Sequence, residues 1–229
     1  MVAVLDREMF SVSVAARLLS VPTSTLSYWL EGGERRGKRY KPVLRPEPLQ
    51  KRTVTWAEFV EAGLLSSYRR KLNVPMAELR AFIDQLRDEL GVPYPLADRR
   101  PYVLNRQLVE EVQTSLGLDP EWCLVAKVNG QLILTPASEN FLERVEWEGD
   151  RAAGWRPAAD ISSPVRINPE VRFGRPAIKG ISTDVIWEQE DAGEDVRDLA
   201  ETYGLTVADV HWALSYENSR RAQQATRAA

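Results

Sequence analysis

Residues 10–45 read FSVSVAARLLSVPTSTLSYWLEGGERRGKRYKPVLR and contain two short helical patterns followed by a basic run with glycines. The first pattern has an apolar stripe formed by Val14, Ala15, Leu18 and Leu19. The segment Ser20-Val21-Pro22 interrupts it, and a second helix then starts at Thr23 or Ser24. Helices this short cannot bury their apolar faces alone, so the pattern predicts a helix-turn-helix that packs on a third helix.

The second predicted helix has two different sides. Its inner side carries Leu26, Trp29 and Leu30. Its outward positions are all small or able to form hydrogen bonds: Thr23, Ser24, Thr25, Ser27 and Tyr28. Such side chains can approach a DNA groove or a phosphate without steric conflict, so we expect this helix to read DNA.

A run of strong positive charge follows that helix. Two acidic residues, Glu34 and Glu47, oppose eight basic ones between positions 34 and 52, a local charge of +6: Arg35, Arg36, Lys38, Arg39, Lys41, Arg45, Lys51 and Arg52. Gly32, Gly33 and Gly37 provide turns, so we predict a wing whose basic residues bind the phosphate backbone. The predicted contacts are Arg35, Arg36, Lys38 and Arg39; a solvated charged loop is the alternative.

These segments resemble the DNA-binding domain of MerR-type regulators. The resemblance rests on residues 10–33, on RGKRYKPVLR at 36–45, and on TWAEFVEAGLLSSYRR and VPMAELRAFIDQLRDEL at 55–70 and 74–90. It implies that the outward residues of the second helix face DNA and that the wing arginines contact phosphates. The chain lacks the cysteines of the metal-sensing relatives.

The two later helices of this region carry their own signals. Thr55 and Glu58 fit a capping box, and Pro75 suits a helix start. The second of these helices has an apolar seam that stops at Gly91: Met76, Leu79, Ile83, Leu86 and Leu90. Such a seam can pack in the core of the domain or form a dimer contact, and the spacing does not distinguish the two.

The remainder of the chain divides into a connector and a helical domain. Residues 92–163 contain a helix and a β-hairpin signal, WCLVAKVNGQLILT, centred on Asn129-Gly130. Residues 164–229 predict three helices at 184–192, 195–203 and about 207–220, with Gly193 and Gly204 at helix ends. The fold class is therefore mainly α with small β elements: a winged helix-turn-helix at 1–91, the connector, and a C-terminal three-helix domain with helix-turn-helix character.

Charge separates the two helix-turn-helix candidates. Residues 181–210 hold nine acidic residues and one basic residue, a local charge of −8. A surface of this sign opposes DNA binding, so we predict that the C-terminal helix pair binds protein.

The C-terminal region also carries a resemblance. Residues 167–217 look like a small domain-of-unknown-function antitoxin family that occurs beside PIN-domain ribonuclease toxins. The matching features are Asn168-Pro169, the Gly174-x-Pro176-x-Ile178-x-Gly180 pattern and the residues 203–206. The family often has Thr-Arg where this chain has Ile181-Ser182.

The whole chain is similar to VapB-type antitoxins. This resemblance implies repression of the chain's own operon through operator DNA, and binding and inhibition of a PIN-domain ribonuclease. For the toxin contact, Arg220, Arg221 and Arg227 could pair with catalytic carboxylates; cations suited to a helix end are the alternative. The alternative functions are a MerR-like regulator without a toxin and a carboxylate-dependent metal nuclease.

Composition narrows the function classes. The 229 residues include one cysteine and one histidine, and the net charge is −3. One cysteine allows neither an intrachain disulfide nor a thiolate metal site, and His211 lies in a helical pattern without a nucleophile turn. We therefore expect a protein that is not an enzyme and has no cofactor and no catalytic or metal site. The N-terminal residues 1–10 are too short and too charged for a signal peptide and no apolar run approaches roughly 18 residues, so we expect a cytoplasmic protein without membrane contact. We also expect a homodimer.

Overall fold

The structure is a computed structural model that describes residues 4–35, 37–71, 75–97, 114–117, 125–128, 131–134, 141, 143–149, 151–158 and 160–228. The chain divides into two compact units, Met1–Ala152 and Ala153–Ala229. Both are mainly helical with small antiparallel strand pairs, which confirms the predicted fold class at that level.

Unit 1 begins with the two predicted short helices. Strand β1 (Glu8–Ser11) leads into α1 (Val12–Leu18), and four residues separate α1 from α2 (Thr23–Glu31). A hairpin of β2 (Gly33–Arg35) and β3 (Lys38–Tyr40) follows. Strand β4 (Thr53–Thr55) then pairs with β1, so the segments before and after the helix pair meet in a two-stranded sheet.

Two longer helices complete the described core of unit 1. Helix α3 (Trp56–Lys71) starts at the predicted capping box: Thr55 N donates to Glu58 Oε2 at 2.8 Å, and Glu58 N donates to Thr55 Oγ1 at 3.2 Å. Helix α4 (Met76–Leu90) ends at a left-handed Gly91. It buries Leu79, Ile83 and Leu86, so these three seam positions pack in the core rather than at a dimer contact.

The buried side of α3 is lined by aromatic residues. Trp56 stacks on Phe59 with 5.6 Å between ring centroids, and Phe10 of β1 contacts the same ring at 5.0 Å. The Trp56 indole N–H donates to the carbonyl of Ala152 at 2.7 Å. Helix α3 is thus the centre of the packing in unit 1.

The predicted central hairpin is present as β5 (Val125–Val128) and β6 (Gln131–Leu134). Val128 pairs with Gln131, so the register leaves a two-residue loop. The turn residues 129–130 lie outside the described residues. A further strand pair, β7 (Val145–Glu148) and β8 (Arg151–Trp155), contains the boundary between the units.

Unit 2 consists of a short strand pair and three helices. Strands β9 (Ala177–Ile178) and β10 (Ile181–Ser182) precede α5 (Thr183–Asp191), α6 (Val196–Tyr203) and α7 (Val207–Ala228). The predicted cap of α7 is confirmed, since Thr206 N donates to Asp209 Oδ2 and Asp209 N donates to Thr206 Oγ1. A left-handed Gly204 ends α6.

The prediction for the last helix was too short. We expected an end near residue 220, but α7 continues to Ala228. Residues 218–228 contain no proline or glycine and are rich in alanine, glutamine and arginine, which favour helix. No described helix has the length and apolarity to cross a bilayer.

Candidate nucleic-acid interface

Helix α2 has an apolar inner side and a polar outer side. Leu26, Trp29 and Leu30 are buried, as the spacing predicted. Thr23 and Ser24 are exposed, while Thr25, Ser27 and Tyr28 are half-buried. The N-cap residue, Pro22, provides no side-chain hydrogen bond to the first turn. The start of α2 therefore presents hydroxyl groups together with a helix N-terminus, a combination that favours phosphate.

Two glycines direct the hairpin away from α2. Gly32 has φ +69°, and a Cβ at this position would overlap the Tyr40 carbonyl oxygen. Gly33 has φ +147° and lies against the Tyr28 ring, since a Cβ there would be 3.7 Å from it. Side chains are disfavoured at both conformations, so the Gly-Gly pair allows strand β2 to turn back immediately after the helix.

Aromatic contacts support the hairpin from both sides. The Tyr28 ring of α2 meets the Tyr40 ring of β3 edge to face, with 6.5 Å between centroids. On α4, the Arg80 guanidinium lies 5.5 Å from the Tyr40 centroid and donates to the Lys41 carbonyl at 3.1 Å. Neither Tyr40 nor Arg80 was predicted as part of the site, although an aromatic residue inside a basic run is a signal for such a contact.

The described hairpin cations are exposed. Lys38, Arg39 and Lys41 are open to solvent, and Lys38 Nζ lies 5.6 Å from the Tyr40 ring. Within the described part of the chain, Arg39 and Lys41 have no ion-pair partner. The Arg35 backbone lies in β2, but its side chain and all of Arg36 lie outside the described residues.

Part of the basic run does not belong to this surface. The Arg45 side chain is 3 % exposed and forms a buried ion cluster with two carboxylates. Its Nε donates to Glu58 Oε1 at 2.7 Å, and a second nitrogen bonds Glu31 at the end of α2. Lys51 is paired with Glu8 at 2.6 Å. The +6 charge predicted from residues 34–52 thus overstates the charge available to a ligand.

The ion cluster fixes α2 relative to α3. Besides the two glutamates, Arg45 donates to the Thr53 carbonyl of β4 at 2.7 Å. Glu31 in turn accepts from the backbone N–H of Gln50 at 2.9 Å. One guanidinium therefore connects the end of α2, strand β4 and the start of α3, and sets where the hairpin begins.

A second buried carboxylate lies one turn further along α3. Glu61 is fully buried and accepts from Leu96 N at 2.9 Å, while Arg87 of α4 lies 3.8 Å from its other oxygen. Burial raises the pKa of Glu61 to about 8, against the opposing effect of Arg87. Arg87 also donates to the Val43 carbonyl at 2.8 Å, so α4 holds the segment that follows the hairpin.

The helix pair of unit 2 has a different surface. Exposed carboxylates lie at the end of α5, on the connection to α6 and on the outer side of α6: Glu188, Glu190, Asp191, Glu194, Asp195, Asp198 and Glu201. Among residues 160–228 none of these seven is in an ion pair. This is the distribution that the sequence predicted for the second helix pair.

The predicted toxin-contacting arginines make contacts inside unit 2. Arg220 Nε donates to the buried Glu217 at 2.7 Å. The Arg221 guanidinium lies 3.5 Å from the Trp187 ring centroid. Toxin carboxylates would have to compete with these contacts. The Arg227 side chain lies outside the described residues.

The described residues contain no cluster of side chains suited to metal binding. His211 is exposed on α7. Within the described ranges, no three His, Cys, Asp or Glu side chains are grouped so that they could hold a metal ion.

Comparison with known proteins finds relatives of the C-terminal region and of nearly the whole chain. The family model "Protein of unknown function (DUF433)" matches residues 165–216, which nearly coincide with the C-terminal resemblance at 167–217. Over 231 residues the chain is 32 % identical to "Uncharacterized protein Rv2308" of Mycobacterium tuberculosis, covering 96 % of this chain and 94 % of the other. The chain belongs to the Rv2308 family.

Two more distant relatives extend over the same length. A Mycobacterium tuberculosis protein named "Putative antitoxin VapB45" is 24 % identical over 226 residues, covering 91 % of this chain and 93 % of its own. The crystal structure of Rv2018 from the same organism shares the fold, with a TM-score of 0.66 and 21 % identity; it covers 92 % of this chain and 99 % of that one. The fold shared with Rv2018 therefore extends over both units of this Rv2308-family chain.

Proposed function

We propose that this chain is the antitoxin of a toxin–antitoxin pair, that it represses its own operon by binding operator DNA, and that it is not an enzyme. The observation that carries the proposal is the division of charge between two helix pairs. The pair in unit 1 is followed by a supported cationic hairpin, whereas seven exposed carboxylates, without an ion pair among the described residues, lie on α5, on α6 and between them in unit 2. The distant likeness to "Putative antitoxin VapB45" supports the toxin partner.

In the proposed complex, unit 1 acts as a winged helix-turn-helix. Helix α2 enters the major groove, with Thr23, Ser24, Thr25 and Ser27 near the bases or the adjoining phosphates. Lys38 and Arg39, together with Arg35 and Arg36, lie along the phosphate backbone. Tyr28 has a second task here, because its ring also supports Tyr40 of the hairpin.

The DNA contact is tested by removing charge from the hairpin. We expect K38Q/R39Q to lower affinity for a duplex carrying the sequence upstream of the chain's own gene. We also expect it to reduce the slope of log K against log salt concentration by about 2, because each lost phosphate contact contributes roughly 0.9. Fluorescence anisotropy at several salt concentrations measures both.

The matched control removes the same charge elsewhere. Arg151 of β8 and Arg197 of α6 are exposed, so R151Q/R197Q changes the net charge equally without touching the hairpin. Equal effects of the two double variants would mean that net charge, and not the hairpin, controls binding. That result would remove the DNA-binding half of the proposal.

The toxin half of the proposal concerns unit 2 and a PIN-domain ribonuclease as partner. Arg220, Arg221 and Arg227 remain the proposed contacts, with unit 2 also providing its acidic surface. Expression of a PIN-domain protein encoded beside this gene should inhibit growth when it is produced alone. Co-expression of this chain should restore growth. If no neighbouring gene product is toxic, the regulator without a toxin replaces this proposal.

A further inference from the structure

One segment of unit 2 holds an aromatic side chain in water. Arg172, Phe173 and Gly174 have φ values of +50°, +53° and +70°, three left-handed residues in succession. Phe173 is 89 % exposed. For a residue with a bulky side chain this backbone conformation costs about 1 kcal/mol or more, and burying a Phe normally stabilises a fold by about 2 kcal/mol. The fold accepts strain here and leaves the apolar ring without a partner in the described structure.

Local hydrogen bonds fix this conformation. The Gly174 N–H donates to Val171 O at 3.0 Å, and the Arg175 N–H donates to Arg172 O at 3.1 Å. The Arg172 side chain donates from Nε to the Gly180 carbonyl at 2.8 Å. Phe173 is thus displayed by a defined turn.

Basic residues flank Phe173 along the chain. We call residues 166–180 the cationic loop, because they contain four basic residues and one acidic residue, Glu170. Arg172, Arg175 and Lys179 are exposed. An exposed aromatic residue with arginines next to it in the chain has the composition of an interface hot spot.

The same unit carries a surface of complementary character. We call Val185, Glu188 and Asp191 the acidic face, since their spacing of three places them along one side of α5. Val185 is one of the few large apolar residues exposed in the described chain. The two carboxylates have no ion pair among the described residues.

We propose that the cationic loop of one copy binds the acidic face of a second copy, and the reverse, in a dimer with two-fold symmetry. Phe173 packs on Val185, while Arg172 and Arg175 pair with Glu188 and Asp191. The reciprocal arrangement forms both contacts twice and closes the assembly. Arg175 has a 3.4 Å contact with Asp184 of its own copy, and these solvent-accessible groups can exchange partners. This inference does not depend on an antitoxin function.

A second copy fits the loop better than a nucleic acid does. An aromatic ring with neighbouring cations also suits a stacked base, but seven exposed carboxylates on α5, α6 and their connection repel a polyanion. A protein surface with an apolar residue and carboxylates can bind the aromatic ring and its neighbouring cations. Unlike a nucleic acid, a second copy also offers cations to the exposed carboxylates.

Sedimentation equilibrium of the full chain provides the first test. In the variant Phe173→Asn the ring is removed, but asparagine tolerates a left-handed backbone, so the turn is retained. The symmetric dimer loses the ring at both contacts, and a truncated hot spot costs about 30-fold each, so we expect the dimer dissociation constant to rise about 1,000-fold. Ile161→Asn is the control, because Ile161 is 76 % exposed in the same unit outside the proposed contact, and its constant should not change.

Charge reversal gives the sharper test. In R172E/R175E both surfaces are negative, and in E188R/D191R both are positive, so each variant alone should be monomeric. A mixture of the two should form a heterodimer, since each loop then meets a face of opposite charge. Thermal melting confirms that each variant is folded.

Three results would overturn the proposal: a wild-type chain that is monomeric at every concentration, a dimer that F173N leaves intact, or a mixture that stays monomeric. If the wild type is monomeric and F173N loses toxin or DNA binding, the cationic loop binds that partner instead. This result also rejects the dimer.

Discussion

The helix pair α1–α2 in unit 1 and the pair α6–α7 in unit 2 have similar local construction but opposite surroundings. Each consists of a short helix, a tight turn and a second helix with a buried apolar side. A cationic hairpin follows the first pair, whereas exposed carboxylates surround the second. The comparison teaches that this helix arrangement does not itself specify a ligand. In the proposed function, the charges that the neighbouring segments contribute favour DNA at the first pair and protein at the second.

The two pairs also differ in what holds them. Unit 2 has a continuous apolar core that includes Val165, Ile186, Leu199 and Val210. In unit 1 the end of α2 depends on a buried guanidinium, Arg45, which connects Glu31 and Glu58. The hydrogen bonds of this cluster are directional, so we infer that they fix the orientation of the end of α2, next to which the hairpin begins.

In each unit one arginine pairs with a buried glutamate, and its removal should lower the stability of that unit. The largest expected effect is that of Arg45 in unit 1. Arg45→Met leaves Glu58 without its charge partner and should lower the free energy of unfolding of unit 1 by about 3–5 kcal/mol. Arg220→Met should cost only about 1 kcal/mol in unit 2, because the Arg220 side chain is 25 % exposed and Glu217 keeps the Thr183 hydroxyl at 2.7 Å. Hydrogen–deuterium exchange of α3 and α7 reports each unit separately. Equal losses in both units would show that the cluster has no special role.

A smaller effect distinguishes the units by pH. The ordinary pKa of Glu61 is 4.5 and burial raises it to about 8. Between these values the unfolded chain releases the proton and the folded chain keeps it, so stability falls as pH rises, by about 1.4 kcal/mol per pH unit at most. The free energy of unfolding of the wild type should fall by about 2 kcal/mol between pH 6 and 8. Glu61→Gln removes the titrating group, so its free energy of unfolding should stay nearly constant over that range. Urea unfolding measures both.

Asp209 provides the control in unit 2. The hydrogen bond from Lys179 lowers its pKa below the ordinary 3.8, with a further contribution from Thr206. Its stabilisation is present above that ordinary value and is lost only as pH falls below it. Asp209→Asn should therefore show the wild-type dependence between pH 6 and 8. An unchanged dependence in the Glu61 variant would contradict the assignment.

The sequence predicted the features that depend on neighbours three or four residues apart. The caps formed by Thr55 with Glu58 and by Thr206 with Asp209 are of this kind, as is the buried side of α2. These contacts form within one helical turn, so spacing alone identifies them.

Contacts between distant positions could not be predicted in this way. Gly63 of α3 lies against the Phe141 ring, 78 positions later in the chain, and a Cβ on Gly63 would overlap that ring. Arg45 was counted with the wing because a charged residue in a basic run normally faces solvent, and only its two glutamate partners explain its burial. The exposed Phe173 has no periodic pattern that predicts it, since it results from three left-handed residues.

The smallest expected effect compares two left-handed glycines. Gly32 and Gly204 have φ values of +69° and +62°, but a Cβ on Gly204 would meet nothing, whereas one on Gly32 would overlap the Tyr40 carbonyl. Ala at Gly204 should thus cost about 1 kcal/mol through backbone strain alone, and Ala at Gly32 about 2 kcal/mol because the hairpin must also move. Only the Gly32 variant should weaken DNA binding, since displacement of β3 carries Lys38 and Arg39 with it. Two results together would contradict this: equal losses of stability in both variants, and normal DNA binding by the Gly32 variant. The position of the hairpin relative to α2 would then not matter for DNA binding, and only charge would distinguish the two helix pairs.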